Sequence, residues 1–465
     1  MPRDLTPFYA PRSVAVIGAS ARPTSSGGAV MQMMKTAQFA GRVIPVNPKG
    51  GELLGLPVAQ DLSALDAPAD LLVIAVRPDF VPDVMREAAR TGHTHAIILP
   101  GGFSESGEEG AAREREVRAI ADDAGITIAG PNCGGIINLS GETGLAATFF
   151  RDLPPGGPIA LVSQSGALAE EMIAHAQAKR IPLGTVVSVG NALMLDTEDH
   201  LAHLGADPDT NCILLYLESA RDLESLAKTA RRIAAKKPIM ALMPGRTENG
   251  LGAAEAHTGA HAGSDAAIDR LCREAGILRV PSLRDLQLAA KVFGRFPEGA
   301  GPRTLILSNS GGPGVLATDR ASLSGLDLVD LPDALGSRLR EVLPAECAIR
   351  NPLDLLADAR EDRFGPTLEA ALDARAAFDM IVMIHVVPFM VDAAPVIDAL
   401  AEGARGAPLP ILHSMMGTLE DGPGWFAKME AAGVPMFDNV EDMARAAGHL
   451  AAYRQIRETL RGDGR

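Results

Sequence analysis

The sequence predicts an α/β protein of several domains, and three observations support this prediction. A chain of 465 residues corresponds to about three domains at roughly 150 residues each. Short β-branched runs such as residues 14–17 and 71–76 alternate with segments of helical spacing, the pattern of βαβ units in a parallel sheet. The 48 glycines and 33 prolines, beside only 4% aromatic residues, are typical of open α/β sheets with many tight turns.

The strand–turn–helix pattern starts again twice along the chain. Each restart follows a stretch rich in proline and glycine, at residues 153–158 and 296–302. After each restart a strand runs into a Ser-x-Ser-Gly turn, at residues 163–166 and 308–311, so we expect two related flavodoxin-like units behind a first domain. The predicted domains are residues 1–148, 157–296 and 302–460.

Charge and composition exclude several classes of function. A net charge of −15 argues against a nucleic-acid partner, which would need a basic face. The first residues lack the apolar core of a signal peptide, and no apolar run approaches the roughly 20 residues that span a bilayer. The cysteines form no CxxC pair, which argues against a zinc site or a disulfide framework. We therefore expect a cytoplasmic protein that uses neither a membrane nor a structural metal.

The first strand ends in small residues that suit a phosphate. Residues 18–20 and 25–28 are Gly-Ala-Ser and Ser-Ser-Gly-Gly, between a strand and a helix, where backbone N–H groups can approach an anion. The spacing is not GxGxxG, and an ordinary βα turn is an equal alternative. Lys49, after the second strand, adds a cation. Cys133, in the Gly-Pro-Asn-Cys-Gly-Gly segment 130–135, could contact a thiol ligand, although a small core residue is the simpler interpretation.

The stretch 244–265 is the most unusual part of the chain. It is rich in glycine and alanine and has Leu251 as its only large apolar side chain, which predicts a long exposed loop. His257 lies in its middle, and a histidine on a mobile loop suits a nucleophile that moves between two places. His261, four residues on, would allow a metal pair, but no acidic or cysteine cluster completes such a site. A solvated histidine is the simpler alternative.

Two further features suggest a site for a phosphoryl group in the second domain. Ser165, Gly166 and Ala167 open a helix whose free N–H groups and hydroxyls can hold an anion, or form only a helix cap. Glu218 ends the apolar strand 212–217, where a carboxylate can orient an imidazole, or be an ordinary surface residue.

Together these motifs resemble the nucleoside-diphosphate-forming acyl-CoA synthetases, relatives of succinyl-CoA synthetase. The resemblance covers nearly the whole chain, in the segments VAVIGAS, PVNPK, ILPGGFSESG, GPNC, LVSQSGALA, SVGN, LYLES, AHTGAHAGSDA, SNSGGPGVLA and NPLDL. It implies a Rossmann-like CoA-binding domain followed by two succinyl-CoA ligase-type flavodoxin domains. It also implies a phosphohistidine at His257 on the loop 244–265, an orienting glutamate at Glu218, and phosphate binding at Ser165, Gly166 and Ala167. The residues that it places near CoA are Gly18, Ser20, Ser26, Lys49, Val76 and Cys133.

Two departures from the family pattern stand out. The usual GPNCLG segment has Gly134 in place of its leucine, which bears on the floor of the CoA or acyl pocket. The acidic stretch usual after SVGN is apolar here, at residues 192–195, and we assign it to substrate or subunit contacts.

The resemblance also implies a partner. Three α/β units occupy the chain and leave no room for an ATP-grasp module, and no P-loop GxxxxGK[ST] is present. We therefore expect an α-type subunit with an ATP-grasp β subunit as partner, in an α₂β₂ complex, with ATP or ADP and Mg²⁺ bound on that partner. The expected reaction interconverts acyl-CoA, ADP and phosphate with a small carboxylic acid, ATP and CoA. The alternatives are an inactive CoA-binding regulatory protein and an acyl or carbamoyl transferase that needs no nucleotide.

Overall fold

The protein folds into two compact units, residues 1–290 and 291–465. The computed structural model describes residues 4–258 and 264–462, with the backbone alone described for 254–258. The strands of the first unit are β1 Ser13–Ile17, β2 Arg42–Val46, β3 Glu52–Leu53, β4 Leu56–Pro57, β5 Leu71–Ile74, β6 His95–Ile98, β7 Thr127–Ala129, β8 Gly135–Asn138, β9 Leu145–Thr148, β10 Ile159–Ser163, β11 Leu183–Ser188, β12 Cys212–Tyr216, β13 Ile239–Leu242 and β14 Ile277–Val280. Its helices are α1 Thr6–Tyr9, α2 Ser26–Thr36, α3 Val81–Arg90, α4 Glu108–Ala124, α5 Gly166–Lys179, α6 Thr197–Ala206, α7 Leu223–Ala234, α8 Glu248–Thr258, α9 Asp265–Ala275 and α10 Leu283–Phe293, the last of which runs on into the second unit.

The first sheet is a parallel α/β sheet, as the sequence predicts. Its strand order is β2-β1-β5-β6-β7. Strand β5 is buried along its whole length, because helices cover both faces of a parallel sheet. Helix α3 shows how the pattern works: Val81, Met85 and Ala88 recur at helical spacing and are all buried against the sheet.

The second sheet has the order β14-β13-β12-β10-β11-β8-β9. Its first five strands are parallel, and β8 and β9 add an antiparallel hairpin to the edge at β11. The sequence analysis placed residues 135–148 in the first domain, whereas they pair with the second sheet. The physical reason is burial: Ile136 and Ile137 point to opposite faces and are both buried, which requires a sheet that is covered on both sides.

The predicted long loop at 244–265 is wrong over half of its length, because helix α8 forms there. Thr247 begins this helix: its Oγ1 accepts from Gly250 N at 3.1 Å, and its carbonyl accepts from Leu251 N at 2.8 Å. The segment is rich in alanine, the strongest helix former, and this outweighs its glycines. His261 lies outside the described residues.

Besides a two-stranded sheet of β3 and β4 in the first unit, the structure has a sheet in the second unit of order β16-β15-β18-β19-β20, with β17 also paired to β15. All of its pairings are parallel. The strands are β15 Arg303–Ser308, β16 Asp327–Leu328, β17 Leu353–Asp354, β18 Met380–Val387, β19 Ile411–Gly417 and β20 Met436–Phe437. The helices are α11 Gly311–Leu323, α12 Asp333–Val342, α13 Glu361–Asp373, α14 Ala393–Ala404, α15 Gly422–Ala431 and α16 Val440–Gly462.

Within the described residues, the search for a membrane-crossing helix found none of sufficient length and apolarity. The same part of the chain contains no cluster of three or more His, Cys, Asp or Glu side chains placed to hold a metal ion.

Candidate functional site

The turn at residues 163–166 leads from the end of β10 into the N-terminus of helix α5. The hydroxyl of Ser163 donates to the carbonyl of Ser165 at 2.7 Å, which folds the turn back on itself. Ser165 then caps α5 by accepting from Leu168 N at 3.3 Å. The N–H groups of Gly166 and Ala167 precede the first intrahelical bond, from Ala169 N to Ser165 O, so they are oriented to receive an anion.

Gln164, which the sequence analysis did not single out, fastens this turn to the neighbouring strand. Its Oε1 accepts from Glu218 N at 2.6 Å and Ser219 N at 3.0 Å, and its Nε2 donates to Ser219 O at 2.7 Å. The predicted Glu218 is therefore held next to the predicted anion site. The sequence feature that could have indicated this contact is the long side-chain amide of Gln164 between the two serines of the turn.

The Glu218 carboxylate lies in a half-buried position at the end of β12. Its Oε1 accepts from the hydroxyl of Tyr216 at 3.1 Å. Burial, together with this carboxylate, raises the pKa of Tyr216, so the phenol remains a donor. Glu218 also lines a cavity of about 430 Å³ whose apolar wall includes Leu217, Met243 and Ile268. The Glu218 side chain thus lies at the wall of a cavity, with a hydrogen bond from Tyr216.

The segment that carries His257 has both its ends tied together by arginines. Arg279, which is almost completely buried, pairs with Asp265 at 2.6 Å and with Asp269 at 2.5 Å. Arg246 lies 3.7 Å from Asp265 and 3.6 Å from Asp269. The hydrogen bond from Arg279 is the main cause that lowers the pKa of Asp269. His257 itself belongs to α8, and its side chain is outside the described atoms.

The first sheet ends in a cradle that suits a phosphate-bearing ligand. Gly18 has φ +87°, a conformation that favours glycine. Gly27 packs so closely that an added Cβ would stand 2.0 Å from Gly18 O. The helix N-terminus at Ser26 is therefore pressed against the turn after β1. Val76 lies beside Gly18, its Cγ1 3.0 Å from where a Cβ would stand.

The other predicted CoA contacts divide into two groups. Ser20 accepts from Arg22 N at 3.1 Å, within the same turn. Lys49 is exposed, and its backbone N–H donates to Asn47 Oδ1 at 3.0 Å, while Asn47 Nδ2 donates to Ala19 O. Cys133 lies elsewhere: its thiol is buried, donates to Ile98 O at 3.4 Å, and has its pKa raised to about 12 by burial. This geometry fits the core interpretation of Cys133.

The turns that join the two sheets of the first unit also interlock. Asn191 N donates to Pro131 O at 2.9 Å, and Asn132 Nδ2 donates to Asn191 Oδ1 at 3.2 Å. Met194 and Leu193, in the apolar stretch after Asn191, pack into the core of the first sheet. Part of the apolar stretch 192–195 is therefore used for packing within the first unit, and its role in substrate or subunit contacts stays a prediction.

Comparison with known proteins identifies each of these regions. A CoA binding domain model matches residues 12–138, a succinyl-CoA ligase like flavodoxin domain model matches residues 156–293, and a ligase-CoA domain model matches residues 304–435. The "dinucleotide forming" acetyl-coenzyme A synthetase 1 of Ca. Korarchaeum cryptofilum, solved with phosphate and ADP, has a TM-score of 0.92 at 29% identity over 99% of both chains.

Two relatives differ in how much of their length this chain covers. It is 33% identical to the α subunit of acetate–CoA ligase (ADP-forming) II of Pyrococcus furiosus, over 95% of this chain and 96% of that one. It is 36% identical to acetate–CoA ligase (ADP-forming) I of Archaeoglobus fulgidus, over 78% of this chain but only 52% of that protein. The chain thus spans about half the length of some curated relatives and nearly all of an α subunit. It belongs to the nucleoside-diphosphate-forming acyl-CoA synthetase family, related to succinyl-CoA synthetase.

Proposed function

We propose that this chain is the α subunit of an ADP-forming acyl-CoA ligase that works through a phosphohistidine at His257. The observation that supports it best is that Gln164, two residues before the helix start at Gly166 and Ala167, accepts from the backbone N–H of Glu218 and so ties the strand end that carries this carboxylate to the turn. An anion site next to a fixed carboxylate is what transfer of a phosphoryl group to an imidazole requires.

The proposed reaction begins at the thioester. A phosphate oxygen attacks the thioester carbonyl carbon, the C–S bond breaks, and CoA leaves with a proton, which gives an acyl phosphate. An imidazole nitrogen of His257 then attacks phosphorus, the P–O bond to the acyl group breaks, and the carboxylate leaves. The phosphoryl group finally passes from His257 to ADP, which gives ATP and frees the histidine.

Each part of the chain has a role in this proposal. Gly166 and Ala167 donate to the phosphoryl oxygens, whose roughly two negative charges the helix N-terminus also stabilises. Glu218 orients His257 and stabilises its cationic form. Gly18, Ser20, Ser26, Lys49 and Val76 hold CoA at the edge of the first sheet. A separate ATP-grasp β subunit, in an α₂β₂ complex, binds ADP with Mg²⁺ and receives the phosphoryl group.

The first experiment is to incubate the chain with acetyl-CoA and ³²P-phosphate, alone and with a candidate ATP-grasp β subunit. We expect an acid-labile, base-stable label that is absent from His257→Asn. His261→Asn is the matched control, because it removes a histidine four residues away, and it should keep the label. Label that persists in His257→Asn would overturn the assignment. Absence of label in both formats, with CoA still bound, would favour the regulatory alternative.

A further inference from the structure

Phe150, two residues beyond β9, has its aromatic ring buried between two turns of the first unit. Its exposed fraction is 3%, whereas that of its neighbour Phe149 is 39%. The two rings meet edge to face, with centroids 5.8 Å apart. The sequence analysis did not single out either residue.

The ring of Phe150 occupies the space that a side chain at position 134 would need. A Cβ added to Gly134 would stand 2.1 Å from Phe150 Cζ and 2.4 Å from its Cε1. Gly134 does not have a positive φ, so its backbone conformation would accept another residue, and the three atoms nearest to an added Cβ all belong to the ring. Gly134 and Phe150 are therefore a complementary pair of small and large residues.

Hydrogen bonds fix the backbone of Gly134 and of Phe150 relative to each other. The hydroxyl of Thr148 donates to Gly134 O at 2.6 Å and accepts from Phe150 N at 3.0 Å. On the other side, Gly134 N donates to Ser188 Oγ at 2.8 Å. The ring is thus positioned by three fixed strand ends and has little freedom to move aside.

The same ring also reaches the proposed phosphate site. A Cβ on Gly166, the first residue of α5, would lie 3.9 Å from Phe150 Cε1 and 3.9 Å from Ser188 Oγ. Phe150 therefore lies between the start of α5 and the turn that contains Cys133 and Gly134. In the proposed reaction the thioester carbon must approach the phosphate at this helix start, so the acyl group must be accommodated next to the ring.

We propose that Phe150 forms a wall of the acyl site and restricts this chain to small acyl groups, an inference that rests on the proposed function. The pairing with Gly134 is what allows so large a side chain at this place. The acyl chain would contact the ring near Cε1, the ring atom that lies toward Gly166 and that also packs on Gly134. Removal of the ring would lengthen the space available beside the phosphate.

The test compares kcat/KM for acetyl-CoA, butyryl-CoA and hexanoyl-CoA, measured with the β subunit present. Phe150→Ala should raise the hexanoyl-to-acetyl ratio about 10-fold or more, because rejection by an apolar wall is worth about that much. A purely structural role for the ring would lower kcat/KM for all three substrates to the same extent. Phe149→Ala is the matched control and should leave the ratio unchanged.

A second pair of variants tests the complementarity itself. Gly134→Ala should lower activity with every acyl-CoA, because its Cβ would collide with the ring, and the double variant Gly134→Ala/Phe150→Ala should recover it. Should Phe150→Ala fail to fold, Phe150→Leu retains most of the volume and should still raise the ratio about 3-fold. An unchanged ratio in a folded variant overturns this inference alone. Wild-type protein that turns over none of the three substrates overturns the proposed function, and this inference with it.

Discussion

The two Ser-x-Ser-Gly turns use the same backbone device in different units. In each, the first serine hydroxyl donates to the carbonyl of the second serine, at 2.7 Å in residues 163–166 and 2.8 Å in residues 308–311. In each turn, the residue between the two serines has a side-chain amide, and this amide forms hydrogen bonds with the backbone near the end of the adjacent strand. The side chain of Gln164 bonds to two residues there, and the shorter side chain of Asn309 bonds to the N–H and the carbonyl of one residue, Val386.

The side chains that meet the two turns differ. Strand register aligns Ser163 with Tyr216 and Ser308 with Ile384, so Val386 takes the place of Glu218 in the second unit. The turn is therefore an element of the fold that both units share. In the first copy the carboxylate, Glu218, follows the strand to which the Gln164 side chain bonds, and we propose the orienting role for it. In the second copy the carboxylate is Asp354, at the end of β17 on the other side of β15, where it is aligned with Ser308.

The largest expected effect comes from the residue that distinguishes the two turns. Glu218→Gln should slow labelling of His257 about 100-fold, because the neutral amide cannot stabilise a cationic imidazole. Val386→Ala is the position-matched control in the second unit and should leave the rate unchanged. A Glu218→Gln protein that is labelled at the wild-type rate would remove Glu218 from the site.

We expect the side chain of Gln164 to affect the rate of labelling and that of Asn309 to affect the free energy of unfolding. Gln164→Leu should slow labelling about 10-fold, because it releases the backbone that positions Glu218. Asn309→Leu should leave labelling intact but lower the free energy of unfolding by about 1–3 kcal/mol, because the N–H and carbonyl of Val386 lose their partner. Urea denaturation and the labelling assay, applied to both variants, separate the two effects. Equal loss of labelling in both variants would contradict the comparison.

The smallest expected effect concerns pH. His385, which takes the place of Leu217 in the second unit, is buried beside His413, and neither ring has a hydrogen-bond partner among the described residues. Burial lowers the pKa of His385 to about 4 and also lowers that of His413. As the pH falls below 6.5, His385 is protonated in the unfolded chain before it is protonated in the folded protein. The stability that its neutral, buried form contributes is therefore complete above pH 6.5 and is lost as the pH falls towards 4.

The measurement is the free energy of unfolding of the second unit at pH 7 and 5.5. His385 alone should account for a loss of about 1.2 kcal/mol between pH 7 and pH 5.5. His385→Leu, which copies Leu217, should reduce the acid-induced loss, and the remainder should come from His413. An identical loss in wild type and His385→Leu would show that His385 is not the acid-sensitive group.

Much of the fold and part of the candidate site follow from the sequence. Fully buried β-branched strands and helical spacing, as in Leu71–Ile74 and α3, predict parallel α/β units because local burial patterns repeat with the period of each element. The turn at residues 163–166 was recognisable for the same reason, since a helix start is a local feature. Helix α8 departs from the predicted loop because its alanines favour a helix more strongly than its glycines oppose one.

Contacts between distant segments could not be predicted in this way. The sequence by itself determined the fold class and the residue types available for phosphate chemistry, since these depend on neighbours along the chain. Only the tertiary structure decided that β8 and β9 join the second sheet, that Gln164 holds the backbone of Glu218, and that the ring of Phe150 fills the space at Gly134. Such pairings depend on which side chains can share the same volume, and that is settled only when the strands have packed.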